Sequence, residues 1–180
     1  MKKIVLIAFL FLSLSIISQA QEQLVGLNQN QLLQKKTTEK RIEAGAIYLP
    51  FFDNFKQEGF RPDPTRWEDQ AAFVNTGFQK FPTDLGVATL DALDNNGSIY
   101  ANANSFSFIA DYLTSNPIHL DKLAGDSIAL KVSDSLYLSF YYQPQGKGNA
   151  PEASDSLVLE FFSGRDKIWY RIWSQEGMPL

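Results

Sequence analysis

From residue 46 onward, hydrophobic and polar positions follow one another in short runs that are rich in β-branched and aromatic residues. Gly, Pro, Asn and Asp separate these runs, which is typical of strands joined by turns. Neighbouring side chains on a strand face opposite sides, so a period of two predicts two distinct faces. The pattern predicts nine strands, at residues 47–55, 71–74, 87–90, 98–101, 112–120, 127–132, 135–143, 156–162 and 167–173.

Two turn sequences predict tight hairpins. Residues 163–166, Ser-Gly-Arg-Asp, lie between the last two predicted strands, where Gly tolerates a positive φ and Asp can accept a bond from its own backbone. Residues 94–97, Asp-Asn-Asn-Gly, follow strand 87–90 and precede strand 98–101, and their Asn-Gly pair favours a type I′ turn. Many short strands with turn signals and no long helical period predict an all-β sandwich.

The first 20 residues have the parts of a signal peptide. The start is basic, residues 4–17 form an apolar run, and Ser18 and Ala20 supply the small residues that precede a cleavage site. The run is shorter than the roughly 20 residues that span a bilayer, so we expect cleavage after Ala20 and no transmembrane anchor in the mature chain.

Residues 21–44 form a second, polar segment. They are rich in Gln, Asn, Lys and Glu, and their leucines are sparse. This composition predicts a solvated leader or linker, and a frayed surface helix that docks on the domain is the alternative. The folded domain is then expected to occupy residues 45–180.

Charge and composition exclude several classes of function. The 180 residues carry 16 Lys and Arg against 20 Asp and Glu, with one His and no Cys. Without Cys the chain has no disulfide, no thiolate metal site and no cysteine nucleophile. Cleavage after Ala20 removes two lysines and leaves 14 basic and 20 acidic residues, a net charge of −6. We expect no nucleic-acid partner, because phosphate binding needs clustered Lys and Arg.

The order of the strand patterns resembles that of MAM and laminin-G-like domains, which have a concanavalin-like fold. The resemblance rests on Phe51-Phe-Asp-Asn-Phe55 followed by Trp67, and on the later segments 136–142, 155–161 and 168–174. It covers residues 47–177. It implies an antiparallel jelly-roll β-sandwich and a role in adhesion.

Four phrases are also similar to a module of large exported Bacteroidota proteins that use type IX secretion, some of them associated with gliding motility. The phrases are residues 49–55, 73–78, 86–91 and 139–146. In such modules further strands follow the position of Leu180. The resemblance therefore implies a natural protein that continues beyond residue 180. A jelly roll without its last strands would leave an inner face and a sheet edge uncovered.

Polar side chains offer few candidates for chemistry. His119 is the single imidazole; we place its nearest carboxylate, Asp121, on the other side of the strand, and expect an ordinary strand His. Carboxylates on loops are potential ligands for Ca²⁺, and the closest set is Asp91, Asp94 and Asn96. A plain hairpin turn is the alternative there. We predict no catalytic residue, because the chain has no G-x-S-x-G elbow, only one His that could act as a base, and no E-x-D-x-x-E motif of the kind that some jelly-roll glycosidases carry. A calcium ion is the one cofactor that remains possible on this pattern.

Aromatic residues are the remaining candidates for a binding surface. Trp169 and Trp173 are predicted to share one face of a strand, where they would stack against sugar rings or a partner protein. Tyr137 and Tyr141 are predicted to lie opposite the apolar side of strand 135–143. The alternative for the tryptophans is packing inside the sandwich.

These features predict an exported, noncatalytic binding or adhesion module, located outside the cell, at the cell surface or in the periplasm. Its expected partner is a protein or a glycan at the cell surface. The alternative function is a carbohydrate-binding module or a weak glycosidase of concanavalin-like fold, and the fold alone does not identify a ligand.

Overall fold

The computed structural model of the chain describes residues 29–34, 45–103, 107–123, 125 and 129–178. The predicted signal peptide and most of the predicted leader lie outside the described residues. The elements, in chain order, are helix α1 (Gln31–Gln34), strands β1 (Ile47–Leu49), β2 (Phe73–Asn75), β3 (Val87–Thr89) and β4 (Ile118–Leu123), a 3₁₀ turn (Val132–Asp134), and strands β5 (Ser156–Ser163) and β6 (Ile168–Glu176). The described part of the chain is strand-rich with almost no helix, which confirms the all-β class.

The six strands of the described residues form three two-stranded sheets. The β2–β3 and β5–β6 pairs are antiparallel, whereas β1 and β4 run parallel, with Ile47 opposite Ile118. The parallel pair corrects the prediction of a wholly antiparallel arrangement. A turn sequence predicts the relative direction only of the two strands that it joins. Because β1 and β4 are far apart in the sequence, no turn sequence indicated that they pair. The jelly-roll order stays a prediction.

Three predicted strands form little or no ladder in the described part of the chain. Residues 135–143 form no strand, and residues 98–101 contribute only a single bridge, from Ile99 to Leu93. Of the predicted strand 127–132, the described residues 129–132 contribute only a bridge from Ala129 to Lys122. A period of two predicts an extended backbone. A strand also needs a neighbouring backbone that offers N–H and C=O groups in register, and an alternating pattern does not supply one.

The turn at residues 94–97 is confirmed, but its type and its strands are corrected. Asp94 N–H donates to Ser98 O at 2.7 Å, and Gly97 N–H donates to Asp94 O at 2.8 Å. Gly97 has a φ of 71°, whereas Asn96 does not have the positive φ that a type I′ turn requires. This bonding is that of a type I turn followed by a glycine bulge. Strand β3 pairs with β2, not with residues 98–101.

The buried core is small and lies around β2. Among the described residues, its hydrophobic members come from three separate parts of the chain: Leu33, Ala72, Phe73, Val74 and Leu93. Leu33 of α1 is 2% exposed, and its carbonyl accepts a bond from Arg61 Nη2 at 2.9 Å. Residues 29–34 therefore dock on the domain, as in the alternative to a solvated leader.

A buried carboxylate, that of Asp53, ties the loop after β1 to Trp67. The Asp53 side chain is 3% exposed. Its Oδ2 accepts a bond from Trp67 Nε1 at 2.7 Å, and its Oδ1 accepts the Phe55 N–H at 2.7 Å and lies 3.2 Å from Arg66 Nη1. The rings of Phe51 and Phe55 lie 5.4 and 5.8 Å from the Trp67 ring. These bonds compensate the cost of burying the charge.

Gly86 permits a close approach of two backbone segments. Phe55 adopts a φ of 53°, which is uncommon for a bulky side chain, and Gly86 N–H donates to Asn54 O at 3.1 Å. A Cβ atom at position 86 would collide with the Phe55 carbonyl group. Position 86 therefore requires glycine for lack of space rather than for its φ.

Candidate functional site

The C-terminal hairpin carries the predicted aromatic residues and is the best-formed sheet of the chain. The Ser163 hydroxyl donates to Asp166 Oδ2 at 2.8 Å and accepts the Asp166 N–H at 3.1 Å, while Lys167 N–H donates to Ser163 O at 2.8 Å. These bonds confirm the predicted tight turn. Its positive φ belongs to Lys167, at 58°, and not to Gly164.

A β-bulge in this hairpin separates the two tryptophans. Leu159 lies opposite Trp173 and Glu160 lies opposite Arg171, so Ile172 is an extra residue on β6. An extra residue shifts the alternation of side chains by one. Trp169 therefore shares a face with Arg171, and Trp173 lies on the opposite face. The prediction that both tryptophans share one face was wrong, because it assumed an uninterrupted ladder.

The face of the hairpin that carries Trp169 is an exposed aromatic platform. Phe162 is the cross-strand neighbour of Trp169; the ring centroids lie 5.2 Å apart, and the residues are 48% and 50% exposed. The next cross-strand pair on this face joins Glu160 to Arg171. Aromatic rings can stack on an apolar surface of a ligand, and the charged side chains beside them can form hydrogen bonds with polar groups around that surface.

Trp173, on the other face, is packed against aromatic rings. The centroids of Phe140 and Tyr142 lie 5.7 and 5.3 Å from that of Trp173, in edge-on arrangements. The rings belong to the segment 135–143, so Trp173 holds this segment against the hairpin. This arrangement corresponds to the packing alternative for Trp173, and Trp169 is the more accessible of the two predicted tryptophans.

Tyr137 and Tyr141 lie on the outward side of segment 135–143. They are 91% and 85% exposed, whereas Leu136, Leu138, Phe140 and Tyr142 are 40–56% exposed. The two tyrosines thus occupy one parity of an extended segment, as the sequence predicted. Tyr137 and Tyr141 lie on one side of the segment. Trp173 lies on the other side, where it contacts Phe140 and Tyr142.

A short repeat that a strand-by-strand reading of the sequence overlooks connects this segment to the hairpin. Ser-Asp-Ser-Leu-x-Leu-x-Phe occurs at residues 133–140 and again at 154–161, and a shorter form, Asp-Ser-Ile-x-Leu-x-Val, occurs at 126–132. The copy at 154–161 forms most of β5. Residues 126–128 lie outside the described residues, and Ala129 of that copy bridges Lys122 in antiparallel fashion. Comparing the segments with one another would have revealed the repeat.

The predicted calcium residues belong to the turn after β3. Asp94 Oδ1 accepts the N–H groups of Asn96 at 2.8 Å and Ser98 at 2.9 Å, and Asp91 Oδ1 accepts the Leu93 N–H at 2.7 Å. These are bonds that aspartates form in turns. One oxygen of each carboxylate thus stabilises the local backbone. Calcium binding by Asp91, Asp94 and Asn96 stays a prediction.

Asp91 also belongs to a cluster with Asp111 and Tyr100 that sequence reasoning missed. Asp111 Oδ2 accepts the Asp91 N–H at 2.6 Å, and Asp111 Oδ1 accepts the Tyr100 hydroxyl at 2.7 Å. Burial raises the pKa of Asp91 to about 6, against the opposing effect of the bond from Leu93 N–H; the charge of Asp111 raises it further. Burial likewise raises the pKa of Asp111, and burial and the bond to Asp111 raise the pKa of Tyr100. The cluster gives the fold a pH-dependent element.

His119 lies on β4 beside an open groove of about 700 Å³. Its Nδ1 atom lies 3.1 Å from Asp121 Oδ1, and its ring stacks on Tyr48 with centroids 4.7 Å apart. The sequence analysis wrongly placed Asp121 on the other side of the strand, since residues two apart on a strand share a face. Stacking on Tyr48 and the bond to Asp121 give His119 a structural role in the β1–β4 pair.

In residues 29–34, 45–103, 107–123, 125 and 129–178, no group of three or more His, Asp or Glu side chains is arranged to hold a metal ion. No helix in the same ranges is long and apolar enough to cross a membrane.

A scan against protein-family models, a search of curated proteins and a search of solved structures each find no match. The resemblance to MAM domains thus rests on sequence patterns.

Proposed function

We propose that the chain is an exported, noncatalytic binding or adhesion module at the cell surface or in the envelope, and that it binds through its C-terminal aromatic surface. That surface comprises twelve large hydrophobic side chains that are 40–91% exposed: Leu136, Tyr137, Leu138, Phe140, Tyr141, Tyr142, Phe161, Phe162, Ile168, Trp169, Tyr170 and Ile172. This exposure is the observation that carries the proposal. Export rests on the predicted signal peptide, and the jelly-roll order rests on the resemblance to MAM domains.

The size of this aromatic surface favours a macromolecular partner. A Phe, Tyr or Trp side chain presents about 150–250 Å², so the eight aromatic members, exposed by about half, leave roughly 800 Å² of ring surface accessible. Exposed apolar patches on monomers usually measure about 300–600 Å², and one side of a standard protein interface measures about 800 Å². The exposed area therefore matches one side of an interface, although it is divided between the faces of the hairpin and segment 135–143.

Within this surface, Trp169, Tyr137 and Tyr141 are the proposed ligand-contacting residues. Trp173 supports them, because its contacts with Phe140 and Tyr142 hold segment 135–143 in place. Interface energy is usually concentrated in a few Trp, Tyr and Arg residues. A single substitution at Trp169 should therefore have a measurable effect.

The proposal is tested by binding of the labelled chain to cells of the source organism. We expect saturable binding that Trp169→Ala weakens at least about tenfold, as is typical of an aromatic interface residue. Phe52→Ala is the matched control, since Phe52 is an aromatic residue, 68% exposed, outside the aromatic surface. Absence of saturable binding, or equal losses in the two variants, would contradict the proposal. Export is tested separately by N-terminal sequencing of the mature protein, which we expect to begin at Gln21.

One observation favours a carbohydrate as the alternative ligand. The Trp169–Phe162 platform is followed on the same face by Glu160 and Arg171. Aromatic rings stack on the apolar faces of sugars, and charged side chains can bond their hydroxyl groups. A glycan array distinguishes the ligands: hits that Trp169→Ala abolishes indicate a carbohydrate. Cell binding that is lost after protease treatment of the cells, with no hit on the array, indicates a protein.

A further inference from the structure

Residues 136–142 form an extended segment whose backbone bonds are unused within the described residues. The exposures of their side chains alternate with a period of two, which is the geometry of a strand. No backbone hydrogen bond joins residues 136–142 to another residue of the described ranges. An extended segment with free N–H and C=O groups and apolar side chains is a template for pairing with another strand.

The repeat shows that this sequence forms a strand when a partner is present. Asp134 Oδ2 accepts the Lys131 N–H at 2.7 Å, and Asp134 N–H donates to Lys131 O at 2.9 Å. Asp155 makes the same two bonds with Glu152, at 2.8 and 3.0 Å, directly before β5. The copy that begins at Asp155 pairs in antiparallel fashion with β6. The copy that begins at Asp134 starts with the same two hydrogen bonds, although Ser135 has a φ of 55°, and it has no such neighbour in the described part of the chain.

We propose that residues 136–142 pair in antiparallel fashion with the same residues of a second copy of the chain, about a two-fold axis at Ser139. This inference goes beyond the proposed function and does not rest on it. It concerns the backbone N–H and C=O groups of the segment, whereas the proposed ligand contacts are made by the side chains of Trp169, Tyr137 and Tyr141.

The absence of charge in the segment favours a second copy of the chain as its pairing partner. The segment from Ser135 to Gln143 contains no charged residue, so antiparallel self-pairing brings no like charges together. The edges of the hairpin are less suitable, because Glu160 lies within β5 and Arg171 lies near the middle of β6. Self-pairing of either strand about its centre would bring two identical charges close to the axis. Among these edges, only the segment is uncharged.

The register about Ser139 also places aromatic and apolar side chains of the two copies opposite one another. It places Tyr137 opposite Tyr141 of the second copy, Leu138 opposite Phe140, and Leu136 opposite Tyr142. Cross-strand aromatic pairs are among the favourable pairs of antiparallel sheets.

Sedimentation velocity of the full chain, from about 1 µM to about 1 mM, tests self-association in the range of weak complexes. We expect a concentration-dependent monomer–dimer equilibrium that Ser139→Lys abolishes, because it sets two ammonium groups across the axis. Ser174→Lys adds the same charge at an exposed serine of β6 and should leave the equilibrium unchanged. An unchanged urea midpoint of Ser139→Lys at low concentration shows that the variant is folded.

Cysteine cross-linking tests the register, since the chain has no native Cys. Directly opposed residues of antiparallel strands lie within the range of a disulfide bond. Ser139→Cys should therefore cross-link with itself on mild oxidation, much faster than Ser174→Cys. Tyr137→Cys should cross-link with Tyr141→Cys and not with itself. A chain that stays monomeric at 1 mM, a dimer that survives Ser139→Lys, larger oligomers, or equal cross-linking of Ser139→Cys and Ser174→Cys would each overturn the inference.

Discussion

Replacing Asp91 by Asn should stabilise the protein at neutral pH and leave its stability almost unchanged in acid. Burial raises the pKa of Asp91 from 3.8 to about 6 in the folded protein. The folded state therefore favours the neutral side chain. Asn keeps the shape of Asp and an oxygen that can accept the Leu93 N–H, and it carries no charge at any pH.

The pH dependence follows from the sign of this pKa change. A carboxyl whose pKa is raised on folding contributes its full stability below the unfolded pKa, near 4, and loses it as the pH rises through about 6. The change in pKa corresponds to about 3 kcal/mol. Because the Asp91 side chain is partly exposed, screening by solvent reduces the effect to about 1–2 kcal/mol. We expect Asp91→Asn to gain that amount at pH 7.5 and almost nothing at pH 4.

Urea unfolding followed by tryptophan fluorescence measures this difference, provided that the slope of the transition is the same in both chains. Asp84→Asn is the matched control, since Asp84 is exposed and its Oδ1 likewise accepts the N–H of a following residue, Leu85. The control should show no comparable gain at pH 7.5. A loss of stability in Asp91→Asn at pH 7.5, or an equal gain at pH 4 and pH 7.5, would refute the reasoning.

Two further substitutions test the contacts that hold the fold together. Trp67→Phe keeps an aromatic side chain but removes the five-membered ring of the indole, with its N–H donor to Asp53 Oδ2, so we expect a loss of at least about 1–3 kcal/mol in urea unfolding; an unchanged midpoint would show that the 2.7 Å bond contributes nothing. Gly86→Ala places a Cβ atom against the Phe55 carbonyl and should cost about 1–3 kcal/mol, whereas Gly77→Ala, with nothing within 4 Å of the added atom, should cost little; equal effects would contradict the account of position 86.

The C-terminal hairpin was the part of the fold that the sequence predicted best. The predicted strand 156–162 covers all of β5 except Ser163, the predicted strand 167–173 covers the first six residues of β6, and the predicted turn lies between them. Alternation and turn chemistry are local properties, and this hairpin is formed by two segments that are neighbours in sequence. The exposed side of segment 135–143, which carries Tyr137 and Tyr141, was predictable because alternation along one segment is also a local property.

Long-range relations between segments were not predictable in this way. No turn signal marks the parallel pairing of Ile47 with Ile118 or the approach of Asp111 to Asp91, and the helical alternative for residues 21–44 did not say where Leu33 would dock. Each of these depends on how separate segments pack, and the sequence pattern of one segment does not contain that information. The bond between Asp53 and Trp67 is a partial exception, because both residues were part of the resemblance to MAM domains.

What the sequence by itself determined is the strand-forming character of the chain, the tight turn between the last two strands and the outward side of Tyr137 and Tyr141 in segment 135–143, because neighbouring residues specify all three. Only the tertiary structure decided which strands pair, that a bulge at Ile172 separates Trp169 from Trp173, and which aromatic residues are covered by others. An extra residue in one strand has meaning only relative to its partner strand, and burial depends on atoms that other segments supply.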